Sequence, residues 1–316
     1  MVTGADVTKK LLQSGERHVN IRIAICLIAS CGFQPAIAQV SKEAQAKTQK
    51  SLAQETLKKA ELAKITAAES AELMLFTSLP ETRAKAVVTG AQKAFDAAQK
   101  VLKFDEKERL WPGKLTVYHL PERRDFTVMK RMLLPESGDK FSKTFIRVRG
   151  TEPFILLGTD AGAKQTDAET VEDLGEAVAE AMLSHKAGVN PGTFDLPGWI
   201  RSGFGKAMVL RAEGNTAKFV AHRNKVKLLF VKAKLPTFKA SDAWSGMSTK
   251  DSDTLTTSLV EYLLFGMEAG KFDQFIAAQK PDEQGNLPGI EKALEALELK
   301  PDTLDAAWKA WVAKQK

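Results

Sequence analysis

The chain has 316 residues, of which 44% are hydrophobic and 27% are charged. This balance is typical of a globular protein, and it excludes a disordered tail, a collagen-like fibre and a polytopic membrane protein. Lys and Arg number 46 against 39 Asp and Glu, which gives a net charge of +7. The excess is compatible with an anionic partner, but it is too dispersed along the chain to indicate nucleic-acid binding.

Residues 1–38 have the pattern of an export signal. Basic residues precede an apolar run from Ile23 to Phe33, and small residues at Ala36 and Ala38 have the spacing that signal peptidase recognises. We therefore expect cleavage after Ala38. The apolar run is too short to span a membrane, which takes about 20 residues. The mature chain is expected to have no transmembrane segment and to be exported to the periplasm, the cell envelope or the medium.

An alternative processing route involves Cys31. The string that ends at this residue, Ile28-Ala29-Ser30-Cys31, resembles a lipoprotein box, and it would leave a lipid on Cys31 instead of a free mature chain. The other cysteine, Cys26, also lies within the signal. A chain that is cut after Ala38 would therefore contain no disulfide.

The mature sequence predicts an α+β fold, in which a small N-terminal mixed β-sheet with helices is followed by an all-helical C-terminal half. Residues 39–69 are rich in Ala, Lys, Glu and Gln, and they predict a charged helical leader or spacer. Residues 70–190 are predicted to form the sheet and its helices, and residues 191–316 the helical half. The predicted strands are Glu72–Ser78, Lys114–Leu120, Phe145–Val148 and Pro153–Gly158. The predicted helices are Glu81–Leu102, Phe126–Leu134, Asp167–Lys186, Pro197–Ala212, the first half of Ala217–Leu235, Thr257–Phe265, Lys271–Ala278, Gly289–Leu297 and Leu304–Val312.

Three strings in this order of elements are similar to those of a known family. They are Leu174–Leu183, Leu196–Gly205, and Ser258–Leu264 together with the later Leu304–Trp308. The chain resembles the gluzincins, the thermolysin-like peptidase MA group of zinc peptidases, over roughly residues 70–314. The resemblance implies the gluzincin catalytic-domain scaffold.

The same resemblance implies where a zinc site would lie. Gluzincins hold zinc with two histidines four residues apart, a glutamate beside the first acts as general base, and the next helix supplies a third ligand. These positions correspond to Glu176, Ala177, Glu180 and Ser202 in this sequence. Alanine cannot take a proton, serine is a poor zinc ligand, and two carboxylates favour harder ions than zinc. We therefore expect neither zinc nor another cofactor, and no peptidase mechanism.

Two other interpretations of this region involve His185 and Ser202. Glu176 and Glu180 share a helical face, so a rebuilt metal site from Glu176, Glu180 and His185 would allow a hydrolase of non-standard type. Ser202 lacks the G-x-S-x-G context of a nucleophile and has no evident histidine partner. The remaining mature histidines, His119 and His222, are interpreted as ordinary hydrogen-bonding residues.

A basic segment lies between Gly214 and Ser241. It predicts either a basic strip for an anionic partner or a solvated helix face whose apolar residues pack inward. The residues of the strip are Arg223, Lys225, Lys227, Lys232 and Lys234.

The function that follows from these patterns is a binding or scaffold role. We expect an exported, catalytically inactive relative of the gluzincins that binds a protein or an anionic component of the cell envelope and does not bind nucleic acid. The alternatives are the hydrolase with a rebuilt metal site and a surface-adhesion protein that uses the basic strip.

Overall fold

The computed structural model describes residues 41–62, 64–105, 109–135, 142–150, 152–159, 165–189, 195–214, 216–231, 239–244, 251–284, 286 and 288–315. The predicted signal peptide, its cleavage site and the lipid-attachment alternative at Cys31 lie outside the described residues.

The first part of the described chain combines strands and helices. Its elements are α1 (Lys42–Lys59), β1 (Thr66–Glu69), β2 (Leu73–Thr77), α2 (Glu81–Val101), β3 (Leu115–His119), α3 (Arg123–Leu133), β4 (Thr144–Arg147), β5 (Phe154–Leu157) and α4 (Asp167–Ala187). The sequence predicts each of these strands except β1. That strand is missed because its Thr-Ala-Ala-Glu sequence continues the Ala- and Glu-rich composition of the preceding helix.

The five strands form one mixed sheet in the order β1-β2-β3-β5-β4. The three central strands β2, β3 and β5 are parallel, and each edge strand is antiparallel to its neighbour. All five residues of β2 and of β3 are buried, as expected for strands that are covered on both faces.

The rest of the described chain is helical. Its elements are α5 (Gly198–Ala212), α6 (Ala217–Val231), α7 (Ala240–Trp244), α8 (Ser252–Phe265), α9 (Lys271–Ala278), α10 (Ile290–Glu295) and α11 (Pro301–Lys314). The mixed sheet and this helical part confirm the predicted α+β class. Among the helices of the described ranges, none combines the length and the apolar character that crossing a membrane requires.

Helices cover both faces of the sheet. On one face, α2 and α4 pack on the sheet, and α5 packs on these two helices, in the larger buried cluster that includes Leu75 and Val117. On the other face, α1 and α3 pack on Phe76 and Tyr118 in a smaller one. Ala53 and Leu57 supply the buried side of α1. The segment that the composition predicts as a leader or spacer thus contributes to a buried layer, although its apolar stripe is thin.

Candidate functional site

The predicted zinc-site positions lie in the middle of α4, a helix with well-defined ends. The side chain of Thr166 accepts a hydrogen bond from the Glu169 backbone N–H at 3.2 Å. In return, the Glu169 carboxylate accepts one from the Thr166 backbone N–H at 2.8 Å. This reciprocal cap fixes the start of the helix, and Gly188 ends it in the left-handed conformation at φ 73°.

Helix α5 runs antiparallel to α4 and approaches it closely through glycine. A Cβ atom added at Gly205 would lie 2.9 Å from the backbone oxygen of Glu176. A Cβ atom at Gly175 would lie 3.0 Å from a methyl carbon of Val209. The absence of side chains at these two positions lets the backbones come together, and it places α5 beside Glu176 and Glu180.

This contact predicts a stability defect for Gly205→Ala. The new methyl group meets backbone rather than a flexible side chain, so α4 and α5 must separate, and we expect a loss of about 2 kcal/mol of unfolding free energy. Gly198→Ala is the matched control, because it lies in the same helix and its Cβ would meet nothing within 4 Å. Urea unfolding should show a lower midpoint for Gly205→Ala alone. Equal midpoints for the two variants would contradict the close approach.

The charges of the site centre on Arg201 of α5. Its Nη1 atom lies 3.5 Å from Glu180 Oε2, and its Nε atom lies 2.9 Å from Asp195 Oδ1. The side chains of Glu180 and Arg201 are 16% and 23% exposed. Burial raises the pKa of both Glu180 and Asp195, and the positive charge of Arg201 opposes that rise. The guanidinium thus lies between two carboxylates and partly neutralises them.

Glu176 has a different environment, one turn earlier on α4. Burial raises the pKa of Glu176 to about 7, and the nearby charge of Lys206 acts against this shift. Lys206 is itself paired with Asp253, at 2.6 Å between Nζ and Oδ2. Among the described residues, no hydrogen bond or ion pair engages the Glu176 carboxylate. It is therefore a half-buried acid that can change its charge near neutral pH.

The other predicted site residues lie in ordinary structural environments. Ala177 is 3% exposed and belongs to the larger buried cluster. Ser202 is half-buried on α5, one turn before Gly205. His185 packs against the ring of Trp111, with 4.9 Å between the ring centroids. The described part of the chain has no group of three His, Cys, Asp or Glu residues that could hold a metal ion.

The described residues of the predicted basic strip make contacts within the protein. The Arg223 guanidinium lies 4.2 Å from the centroid of the Phe219 ring. Lys225 pairs with Asp251 at 3.0 Å, and Lys227 donates a hydrogen bond to the backbone oxygen of Gln315. Lys232 and Lys234 lie outside the described residues. These contacts agree with the helix-face interpretation, although Leu228, which that interpretation places inside, is 49% exposed.

Sequence reasoning missed a buried polar cluster that joins α5, α6 and α8, in which Glu261 forms an ion pair with Arg211 and lies near the neutral His222. Glu261 of α8 is 1% exposed, and its carboxylate lies 3.4 Å from Arg211 Nη2 and 3.8 Å from His222 Nε2. Burial raises the pKa of Glu261 and lowers the pKa of His222 to about 4. The available signal was a lone acid in the apolar run of α8, since such a residue requires a partner when it is buried.

No model of a known protein family matches the chain, and no curated protein matches it.

Proposed function

We propose that this chain is an exported, catalytically silent relative of the gluzincin peptidases, which acts by binding a protein at the surface of α4 and α5 around Glu176 and Glu180. The observation that carries the proposal is the position of Arg201 between Glu180 and Asp195. At this place the resemblance implies a zinc ion.

The charge balance of the site supports the absence of a metal. A bound cation would need the Glu180 carboxylate as a ligand, but that carboxylate already faces the Arg201 guanidinium at 3.5 Å. A second cation beside Glu180 would be repelled by Arg201. Ala177, at the position of the general base, cannot accept a proton from water. The side chains present therefore fit neither zinc binding nor the peptidase reaction.

The same site favours a basic group of a protein partner over an anionic envelope component. Glu176 is a half-buried carboxylate with no partner among the described residues, and Glu180 lies one turn away on the same side of α4. A Lys or Arg side chain from a bound protein would stabilise the ionised form of Glu176. An anionic polymer would instead meet two acids in this region.

Restoring the family residues tests the scaffold. The variant that combines Glu176→His, Ala177→Glu, Glu180→His and Ser202→Glu carries the full gluzincin ligand set and base. If α4 and α5 have the gluzincin arrangement, this variant should bind about one zinc ion per chain, measured by elemental mass spectrometry after dialysis.

The control variant carries the Glu176→Gln and Glu180→Gln substitutions and should retain no zinc. Circular dichroism establishes that both variants are folded. A folded variant with all four family residues and no bound zinc would contradict the proposed scaffold.

A further inference from the structure

A cavity of about 460 Å³ lies on the face of the sheet that α1 and α3 cover, between the C-terminal half of α1 and β1. Its lining residues come from α1, from the segment that joins α1 to β1, and from the first two strands. They are Gln54, Leu57, Lys58, Glu61, Leu62, Ile65, Ala67 and Phe76. Since α4 packs on the opposite face of the sheet and α5 packs on α4, this cavity is separate from the site proposed above.

The inner wall of the cavity is apolar. Leu57 and Phe76 are 4% and 1% exposed, and Leu62 and Ile65 are half-buried beside them. The volume is within the range of about 300–1,000 Å³ that is typical of sites for small molecules. An apolar cavity of this size favours an occupant with a hydrocarbon body, because water gains few hydrogen bonds there.

One side of the opening carries hydrogen-bond donors. Gln54 and Lys58 are four residues apart on α1, so their side chains lie next to each other. The ammonium of Lys58 makes no ion pair among the described residues, and it can donate together with the Gln54 amide. Glu61 is the sole acid in the lining. Two adjacent donors, one of them charged, are complementary to a carboxylate.

We propose that this cavity binds a single-chain amphiphile with a carboxylate head, as in a medium-chain fatty acid. The alkyl chain packs against Leu57, Leu62, Ile65 and Phe76, and the carboxylate lies beside Lys58. This proposal does not depend on the function proposed for α4 and α5.

The rival occupant is the chain's own segment before Ser41. The first residue of α1, Lys42, lies about 18 Å along the helix from Gln54, the first residue of α1 that lines the cavity. The predicted apolar run of residues 23–33 would have to fold back along about two thirds of α1 to reach the cavity. A free ligand can enter the cavity without any rearrangement of the chain.

Calorimetric titration of the chain that begins at Gln39 tests the proposal. The ligands are laurate, dodecanol and dodecylamine, which share a twelve-carbon chain and differ in the head group. We expect saturable binding of laurate at one site, and at least roughly tenfold weaker binding of dodecylamine. The Lys58→Glu variant should reverse this preference. The Ala67→Trp variant fills the cavity and should weaken laurate binding at least roughly tenfold, whereas Leu228→Trp, at an exposed position on α6, should leave it unchanged.

Three results with the chain that begins at Gln39 would overturn the proposal. They are absence of saturable laurate binding, dodecylamine binding as tight as that of laurate, and an Ala67→Trp variant that is folded and binds laurate like the wild type. The same titration on the chain that begins at Met1 examines the rival occupant. Strong competition by the additional residues would assign the cavity to that segment and contradict a free amphiphile.

Discussion

Replacing Arg201 with methionine should lower the unfolding free energy by about 3 kcal/mol at pH 8. The guanidinium lies within ion-pair distance of both Glu180 and Asp195, and methionine keeps much of the apolar stem while removing the charge. Glu180 and the half-buried Asp195 would then lose their ion-pair partner, and a buried charge without its partner is strongly destabilising. The difference from the wild type is measured by urea unfolding.

This loss should shrink as the pH falls. Burial already raises the pKa of Glu180 and of Asp195, and removal of Arg201 raises both further. Carboxyl groups with raised folded-state pKa values bind protons more tightly when folded, so the destabilisation of Arg201→Met should be smaller at pH 5 than at pH 8.

The matched control is Arg83→Met. Its partner is Asp167, and the two side chains are 44% and 46% exposed. We expect little change in stability for this variant, because solvent screens exposed pairs. Equal effects for Arg83→Met and Arg201→Met at pH 8 would contradict the account of the buried pair.

Replacing Glu176 with glutamine should stabilise the protein at pH 8, by up to about 3 kcal/mol. Burial raises the pKa of Glu176 from 4.5 to about 7, so the folded state holds this proton more tightly than the unfolded state. The wild type therefore loses stability as the pH rises from about 4.5 through 7. Glutamine does not ionise, so the variant avoids this loss and should match the wild type near pH 4.

Glu69→Gln is a control for which we expect the opposite change in stability at pH 8. The hydrogen bond from Lys50, together with Lys114, holds the pKa of Glu69 below its usual value. The ionised carboxylate thus stabilises the folded state at neutral pH, and this stabilisation is lost as the pH falls. We expect Glu69→Gln to be less stable than the wild type at pH 8. If Glu176→Gln showed the same direction of change at pH 8, the burial of Glu176 would be contradicted.

The strands of the sheet centre could be predicted because local sequence determines them. The runs around Leu73–Thr77 and Leu115–His119 are apolar or β-branched, and both form buried parallel strands. The edge strand Thr66–Glu69 could not be predicted, since it has few β-branched or aromatic residues. It forms a strand because its backbone pairs with β2. The packing of α1 on the sheet also depends on distant residues, as in the 2.9 Å hydrogen bond from the Lys114 N–H to Gln49 Oε1.

In the candidate site, too, some features follow from the local sequence and others depend on distant residues. The spacing of Glu176 and Glu180 places them on one side of a helix, and this follows from the sequence alone. The position of Arg201 beside Glu180 could not be predicted from the sequence, because it depends on how closely α5 packs against α4 through Gly205. The polar cluster around Glu261 was missed for a similar reason, since its ion-pair partner Arg211 and its neighbour His222 come from two other helices.

The zinc content of the purified wild-type chain decides whether Glu176 and Glu180 hold a metal ion. The chain is incubated with zinc, dialysed gently and measured by elemental mass spectrometry. We predict far less than one zinc ion per chain, because Arg201 already supplies the positive charge beside Glu180. Stoichiometric zinc that is lost in the Glu176→Ala and Glu180→Ala variants would contradict the account, and it would establish a rebuilt metal site in its place.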